Sequence, residues 1–103
     1  MALHATLVGD TDTTVIQAAV TNRRVRLLAA FITNSVVTVA ESCRFESTGG
    51  GDLSGDLDFI NGPVTLPYSS EGWAITALGE GLQIEETGGG NLDGIVVYDI
   101  IAG

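Results

Sequence analysis

Apolar and polar residues alternate along much of this chain, and few stretches show the i, i+3, i+4 repeat of an amphipathic helix. Val25, Leu27, Ala29 and Phe31 share one face of the stretch "VRLLAAFIT" when it is extended, and Arg24 and Arg26 lie on the other face. The stretch "GLQIEET" likewise sets Leu82 and Ile84 against polar neighbours. Because successive side chains of a strand point to opposite faces, these stretches predict β-strands with one buried face.

The stretch "VVTVAESCRFES" repeats the pattern with one interruption. Glu41 falls on the face that the pattern assigns to apolar residues, which are Val37, Val39, Cys43 and Phe45. The stretch "TTVIQAAV" is compatible with a strand or a helix, and we interpret it as a strand. Shorter apolar segments, "ALHATLV", "DLDFI", "PVTLPY" and "WAITAL", complete the set.

Turn-forming clusters such as "STGGGDLSGD", "SSEG" and "TGGGNLDG" separate these segments. Short strands with Gly-rich turns are typical of antiparallel all-β domains. The 103 residues fit one domain. We therefore predict an all-β chain that forms a single antiparallel β-sandwich or jelly-roll-like domain of about eight strands over residues 1–103, with residues 1–12 as a candidate extended N-terminal arm.

The closing stretch "GIVVYDIIAG" departs from simple alternation because it is apolar on both faces. Such a strand needs cover on both sides, and a domain this small offers only one second sheet. The other cover is then another copy of the chain, so we predict a homo-oligomer with Val96, Tyr98 and Ile100 as candidate interface residues.

Charge narrows the range of partners. The chain has a formal net charge of −9, with thirteen acidic residues against four basic ones. Such a surface repels phosphate, so we expect neither a nucleic-acid partner nor binding to an anionic membrane. The N-terminal stretch has no signal-peptide pattern, and no apolar run reaches the length of a membrane-spanning helix. We expect a protein made in the cytoplasm.

Catalytic groups are scarce. The single histidine, His4, lies near the terminus, and the single cysteine, Cys43, fits a small buried apolar residue better than a nucleophile. The carboxylate pairs Glu85–Glu86 and Asp56–Asp58 suit a solvated face better than acid–base catalysis. We predict no catalytic residue, no enzymatic activity and no cofactor.

Two Asp- and Asn-containing loops, "GDLSGDLD" and "GGGNLDG", carry oxygen ligands of the type that Ca²⁺ prefers. Their spacing matches neither an EF-hand nor a calcium-binding repeat, and both residue types are ordinary in turns. We favour the turn interpretation and predict no metal site.

Three of the four cations lie together, at Arg23, Arg24 and Arg26. Two interpretations stay open: the guanidinium groups neutralise carboxylates of the same chain, or they dock on an acidic partner.

The only Trp follows a Ser-Ser-Glu-Gly turn. Trp73 and the nearby Tyr68 are predicted either to pack the end of the sandwich or to form the rim of a binding surface, and we favour packing.

The order of these features resembles the small head decoration, or cement, proteins of tailed bacteriophages. The resemblance extends over residues 13–99 and is most specific in "LPYSSEGW" and "GEGL", with "RRVRLLAAFI" and the Thr- and Phe-containing strand "VVTVAESCRFES" before them. The chain departs from that pattern in having no lysine and in the stretch "AESCRFES".

This resemblance implies a structural protein on the outer capsid surface of a virion, often a trimer, whose partner is the major capsid protein. The arginine cluster would then face acidic capsid loops. Two other function classes remain as alternatives. One is a carbohydrate- or receptor-binding module of a virion fibre, for which Trp73 and Tyr68 are the candidate pair; the other is a small hydrolase.

Overall fold

The computed structural model describes residues 1–36, 41–60 and 62–103. This part of the chain forms nine β-strands and no helix. The strands are β1 (Leu3–Asp10), β2 (Thr13–Gln17), β3 (Arg23–Asn34), β4 (Ser42–Ser47), β5 (Leu57–Asp58), β6 (Val64–Leu66), β7 (Ala74–Ile75), β8 (Leu82–Thr87) and β9 (Leu92–Ala102).

The strands form two antiparallel sheets. The first sheet has the order β1-β9-β3-β6, with β7 also pairing with β3, and the second has the order β2-β8-β4-β5. The pairing is nested, because β1 pairs with β9, β2 with β8, β3 with β6 and β7, and β4 with β5. This double-sheet arrangement is that of a jelly roll, and it confirms the predicted all-β sandwich.

The core lies between the two sheets. The first sheet contributes Leu7, Val25, Leu27, Ala30, Ile32, Val64, Leu92, Val96 and Tyr98, and the second contributes Ile16, Cys43, Phe45, Leu82 and Ile84. The alternation predicted for "GLQIEET" is confirmed, since Leu82 and Ile84 are fully buried. Cys43 and Phe45 also point inward as predicted. Val37 and Val39, assigned to the same face from the sequence, lie outside the described residues.

The alternation predicted for β3 is wrong in its second half. The register with β9 shifts between Leu27 and Ala29, so Leu28 is an extra residue in the strand. Such a β-bulge exchanges the two faces for every residue that follows. Val25 and Leu27 therefore face the core as predicted, whereas Ala29 and Phe31 point outward and Ala30 and Ile32 replace them inside.

The prediction for the closing strand is also corrected. Val96 and Tyr98, expected at an oligomer interface, are buried in the core of the single chain. The Tyr98 hydroxyl donates a hydrogen bond to Gln17 Oε1, at 2.9 Å, and so connects β9 to β2 in the opposite sheet. Ile100 is half-buried opposite Val25 and has the same inward orientation. The outward residues of β9 are instead Ile95, Val97, Asp99 and Ile101.

Two N-terminal segments, the candidate arm and the stretch "TTVIQAAV", both contain β-strands. Within residues 1–12, the candidate arm, residues 3–10 form β1 and pair with β9. In the stretch "TTVIQAAV", Thr13–Gln17 forms β2, so the strand interpretation is confirmed for those residues.

A loop over residues 67–73 crosses the bulge of β3 and is held by its exposed carbonyls. Ser69 N–H donates to Leu28 O at 3.0 Å, and Trp73 N–H donates to Leu27 O at 2.8 Å. Gly72 has a φ of 85°, and a Cβ at this position would lie 2.4 Å from Arg26 Cγ. Only glycine combines this backbone conformation with such a close approach.

Candidate interaction surface and apolar cavity

The outer face of the first sheet has an apolar centre, where β9 and β3 lie side by side. Residues paired across antiparallel strands share a face, so the register defines its rows. One row runs Thr6, Ile95, Phe31 and Thr65; the next runs His4, Val97 and Ala29; a third contains Asp99, Arg26 and Ile75. We call this surface the apolar face and define it by Ala29, Phe31, Ile75, Ile95 and Val97.

The side chains of the apolar face are open to solvent in the single chain. Phe31 is 47% exposed, Ile75 44% and Ile95 40%, and Ala29 and Val97 between them are half-buried. Scattered exposed apolar residues are normal on a protein surface, whereas a contiguous group in adjacent rows is typical of an interaction site. The arrangement can bind an apolar protein surface, and it presents no reactive group there.

The arginines of the cluster differ in their contacts, which bear on the two interpretations left open by the sequence: neutralisation within the chain and docking on an acidic partner. Arg26 makes a bidentate ion pair with Asp99, with Nη2–Oδ2 at 2.7 Å and Nε–Oδ1 at 3.0 Å. The hydrogen bond to Asp99 raises the pKa of Arg26. Arg24 Nη1 donates to the carbonyl of Thr76 at 3.1 Å. Arg23 is exposed and makes no side-chain hydrogen bond or ion pair with the residues that the structure describes. Arg26 is therefore neutralised within the chain, and Arg23 is the cation best placed to meet a partner.

Trp73 stands at the edge of the sandwich, where it is 51% exposed. Its Nε1–H donates to Pro67 O at 2.8 Å, which fixes the ring relative to its own loop. The inner side of the ring lines an apolar cavity of about 260 Å³ between the two sheets. Tyr68, on the same loop, is exposed. Trp73 thus packs the end of the sandwich in part and also forms part of a rim, while Tyr68 belongs to the rim alone.

The outer face of the second sheet is different in kind, because a single cation lies among several carboxylates. Arg44 contacts Glu46 at 3.1 Å, Glu85 at 3.2 Å, and Asp52 and Asp56 at 3.3 Å each. Gln83 donates to Glu46 at 2.8 Å. Hydrogen bonds from Gln83 and Arg44 lower the pKa of Glu46 despite its burial. We call this surface, defined by Arg44, Glu46, Gln83 and Glu85, the charged face.

The charged face also accounts for one of the two acidic loops. Asp52 and Asp56, in the loop considered for Ca²⁺, turn toward Arg44. In the second loop, Asp93 Oδ1 accepts a hydrogen bond from Gly9 N–H at 2.9 Å. Among the described residues, no group of three or more His, Cys, Asp or Glu side chains is arranged to hold a metal ion.

Two carboxyl groups meet at one end of the core. Glu41 and Glu86 are both about 93% buried, with 7% exposure each. Glu86 Oε2 accepts from Asp12 N–H at 3.0 Å, and its Oε1 accepts from Gly89 N–H at 2.7 Å. Burial, together with the neighbouring Glu86, raises the pKa of Glu41 to about 7. Burial also acts to raise the pKa of Glu86, but the hydrogen bonds that its carboxylate accepts outweigh it and lower that pKa. Glu41 Oε1 accepts from Ser42 N–H at 2.9 Å, whereas its buried Oε2 has no hydrogen-bond partner among the described residues.

The two residues considered for nucleophilic chemistry lie far apart in the fold. Cys43 is completely buried in the core, and this burial raises the pKa of its thiol to about 12. His4 is exposed on β1, on the outer side of the first sheet. A thiol in that environment stays protonated and packs as an apolar group.

None of the described residues belongs to a helix capable of crossing a membrane.

Sequence reasoning did not find the apolar face. It assigned Phe31 and Ala29 to the core and did not consider Ile75 as a surface residue. The signal that was present is the double-faced apolar character of β9, whose inward and outward residues are both mostly apolar. The outward set of that strand was mistaken for the inward set, because parity alone does not say which face meets the second sheet.

Comparison with known proteins adds little beyond the fold. No protein-family model matches the chain, and no curated protein sequence matches it either. Among solved structures, the C-terminal domain of EclA, described as a sugar-binding protein, is similar with 13% identity and a TM-score of 0.42, over 97% of this chain and 76% of that one. The VP2 subviral particle of infectious bursal disease virus gives 13% identity and a TM-score of 0.38, over 99% of this chain and 30% of that one. At such low identities and TM-scores these likenesses carry no argument about function.

Proposed function

We propose that the chain is a structural, non-enzymatic virion protein that decorates the outer surface of a tailed-phage head and stabilises the shell. The observation that carries the proposal is the apolar face, where Phe31 and Ile95 stand exposed in one row beside Ala29 and Val97 in the next. Ile75 is exposed in the third row. A jelly-roll sheet that leaves such a face uncovered gains free energy when another protein surface covers it. The resemblance to phage decoration proteins supplies the kind of assembly.

In this proposal two parts of the surface divide the work. The apolar face packs against neighbouring copies in a homotrimer, and the exposed guanidinium of Arg23 meets acidic groups of the major capsid protein. Modest contacts made three at a time raise the effective concentration of each one, so the trimer holds adjacent capsid subunits together more strongly than one copy does. The net charge of −9 is compatible with a location outside the shell, away from packaged DNA.

The proposal is tested by co-sedimentation with expanded heads of the tailed phage that encodes the chain. Wild-type protein is expected to pellet with the heads. The double variant Phe31→Ser, Ile95→Ser is expected to bind at least about tenfold more weakly, because multivalency is lost with the trimer. Val15→Ser is the matched control, since Val15 is 55% exposed on the outer side of the second sheet. Absence of wild-type binding, or equal binding by the double variant, overturns the proposal.

The arginine component has a separate test. Arg23→Glu reverses the charge of the exposed guanidinium and is expected to weaken head binding, with a smaller effect in high salt. Arg26→Glu is a poor substitute because it would place a carboxylate beside Asp99. Light scattering of Arg23→Glu is expected to match the wild type, which separates docking on the capsid from association between copies.

A carbohydrate-binding module is the second candidate, favoured by one observation. Tyr68 and Trp73 are both exposed on the loop over residues 67–73, and aromatic rings of this kind stack on sugar rings. A sugar-array screen read through Trp73 fluorescence tests it. A response that Tyr68→Ala removes would replace the decoration hypothesis with a receptor-binding one.

A further inference from the structure

The apolar cavity beside Trp73 opens between the edges of the two sheets. Leu27, Leu66 and Ala74 line it from the first sheet, and Phe45 and Leu57 line it from the second. Trp73, Leu53 and Ser54 complete the lining. Both sheets are narrow here, because β5 and β7 contain only two residues each and β6 contains three. The short edge strands leave a gap that the side chains do not fill.

The lining offers no polar group to a ligand. Ser54 is the only residue of the set with a side-chain hydroxyl, and its Oγ accepts from Phe45 N–H at 3.1 Å and donates to Gly55 O at 2.9 Å. The indole Nε1–H of Trp73 is bound to Pro67 O. A molecule that enters therefore finds apolar walls, and any hydrogen-bonding group on it would lose its water without replacement.

Size and shape define the ligand further. The cavity volume is about 260 Å³, whereas a closed apolar cavity of about 150 Å³ already takes up benzene. Phe45 and Trp73 contribute aromatic rings to the lining, and the four leucines contribute aliphatic side chains. We propose that this cavity is a binding site for a compact, uncharged apolar molecule of one or two rings.

The negative charge around the cavity disfavours ligands of similar shape that carry a carboxylate group. Asp58 follows Leu57 at the cavity wall, and the whole chain carries a net charge of −9. Asp56, on the other side of Leu57, is paired with Arg44. A carboxylate on the ligand would meet like charge outside and apolar walls inside. The site thus discriminates between two molecules of nearly equal shape, toluene and benzoate.

The chain contains its own reporter for the experiment. Trp73 is the only tryptophan, and its ring lines the cavity, so its fluorescence changes when a ligand replaces water against it. Titration of the wild-type protein with toluene is expected to shift Trp73 emission with saturation and to raise Tm, because a ligand that binds only the folded state stabilises it. Benzoate at the same concentrations is expected to do neither.

Two variants that fill the cavity test its location. Ala74→Leu and Leu57→Phe each add side-chain atoms to the lining and are expected to weaken toluene binding at least tenfold. Ala77→Leu is the matched control, since Ala77 is exposed and does not line the cavity, so the same change there leaves binding intact. Two filling variants on opposite sheets are used so that misfolding of one leaves the other informative.

The outcomes separate clearly. Saturable toluene binding that both filling variants lose and Ala77→Leu keeps supports the site. No saturable change in the wild type, equal responses to toluene and benzoate, or full binding by a folded filling variant overturns it. None of these results depends on head binding or on association between copies. The experiment therefore tests the cavity site independently of the proposed decoration role.

Discussion

The two outer faces of this sandwich have opposite compositions although both belong to antiparallel sheets over one core. On the charged face, Arg44 reaches four carboxylates and Gln83 supports one of them. On the apolar face, Phe31, Ile75 and Ile95 are exposed, and a single ion pair, Arg26–Asp99, lies among the described residues of that surface. The polar groups of the charged face contact one another, whereas the apolar side chains of the apolar face are open to solvent in the single chain.

The two faces differ in the free energy that their side chains would gain if a partner covered them. Charged groups that satisfy one another in water gain nothing from a partner, because a partner would remove their solvation. Exposed apolar side chains gain about 25 cal/mol for each Å² that a partner covers. Substitutions on the two faces should therefore have different consequences.

The largest expected loss of stability comes from a substitution in the core, between the two outer faces. Phe45→Ala removes a ring that is 1% exposed between the sheets, and it is expected to lower the free energy of unfolding by about 3–5 kcal/mol. Urea denaturation measures the loss. Phe45→Leu, which keeps most of the apolar volume, should cost about 1 kcal/mol. A small loss for Phe45→Ala would mean that the cavity beside it collapses to refill the space.

On the charged face, Arg44→Ala is expected to destabilise less than Phe45→Ala and more than any substitution on the apolar face. The reason is Glu46, whose side chain is only 7% exposed and would lose its cation. Arg44→Lys should recover part of the loss, since an ammonium group cannot reach several carboxylates as a guanidinium fork does. Equal urea midpoints for Arg44→Ala and the wild type would show that the ion pairs contribute nothing.

Glu41 and Glu86 provide the contrasting case, because no cation pairs with either of them in the described residues. The folded state raises the pKa of Glu41 from 4.5 to about 7, so it binds the proton more tightly than the unfolded chain does. This contribution is complete below about pH 4.5 and is lost as the pH rises to about 7. Glu86, whose pKa is lowered, loses its own contribution only at more acidic pH.

Glu41→Gln mimics the protonated side chain and tests this linkage. The variant is expected to be about 1–2 kcal/mol more stable than the wild type at pH 8, and equally stable at pH 4.5. Thermal unfolding at a series of pH values measures the slope. Glu71→Gln, which removes an exposed carboxylate, is the control and should keep the wild-type slope. A variant slope parallel to that of the wild type would contradict the raised pKa of Glu41.

The smallest expected effect on folding lies on the apolar face. Phe31→Ala should cost about 0.5 kcal/mol in dilute solution, because the ring is half exposed and leaves no cavity. The same substitution should reduce association in light scattering. The difference in unfolding free energy between the wild type and Phe31→Ala can also be measured at several protein concentrations. If this difference increases with concentration, the apolar face is covered by another copy before any capsid is present.

Much of the fold was predictable because its signal is local. Period-2 alternation in "GLQIEET" and in Ser42–Ser47 correctly identified inward residues such as Leu82 and Phe45. The Gly-rich clusters correctly marked the turns between short strands. Glu41 was noticed as an interruption of the pattern, but its partner Glu86 is 45 residues away and carried no local sign.

The sequence alone determined the class of the molecule: an acidic all-β sandwich of short strands with one arginine cluster. Tertiary structure alone decided which residues face outward on β3 and β9. A one-residue bulge reverses the parity of a strand, and this bulge is held by Ser69 and Trp73, whose N–H groups bind Leu28 O and Leu27 O. Those bonds join positions about forty residues apart in sequence. Alternation is a property of neighbours, whereas the choice of face depends on contacts that only the folded chain brings together.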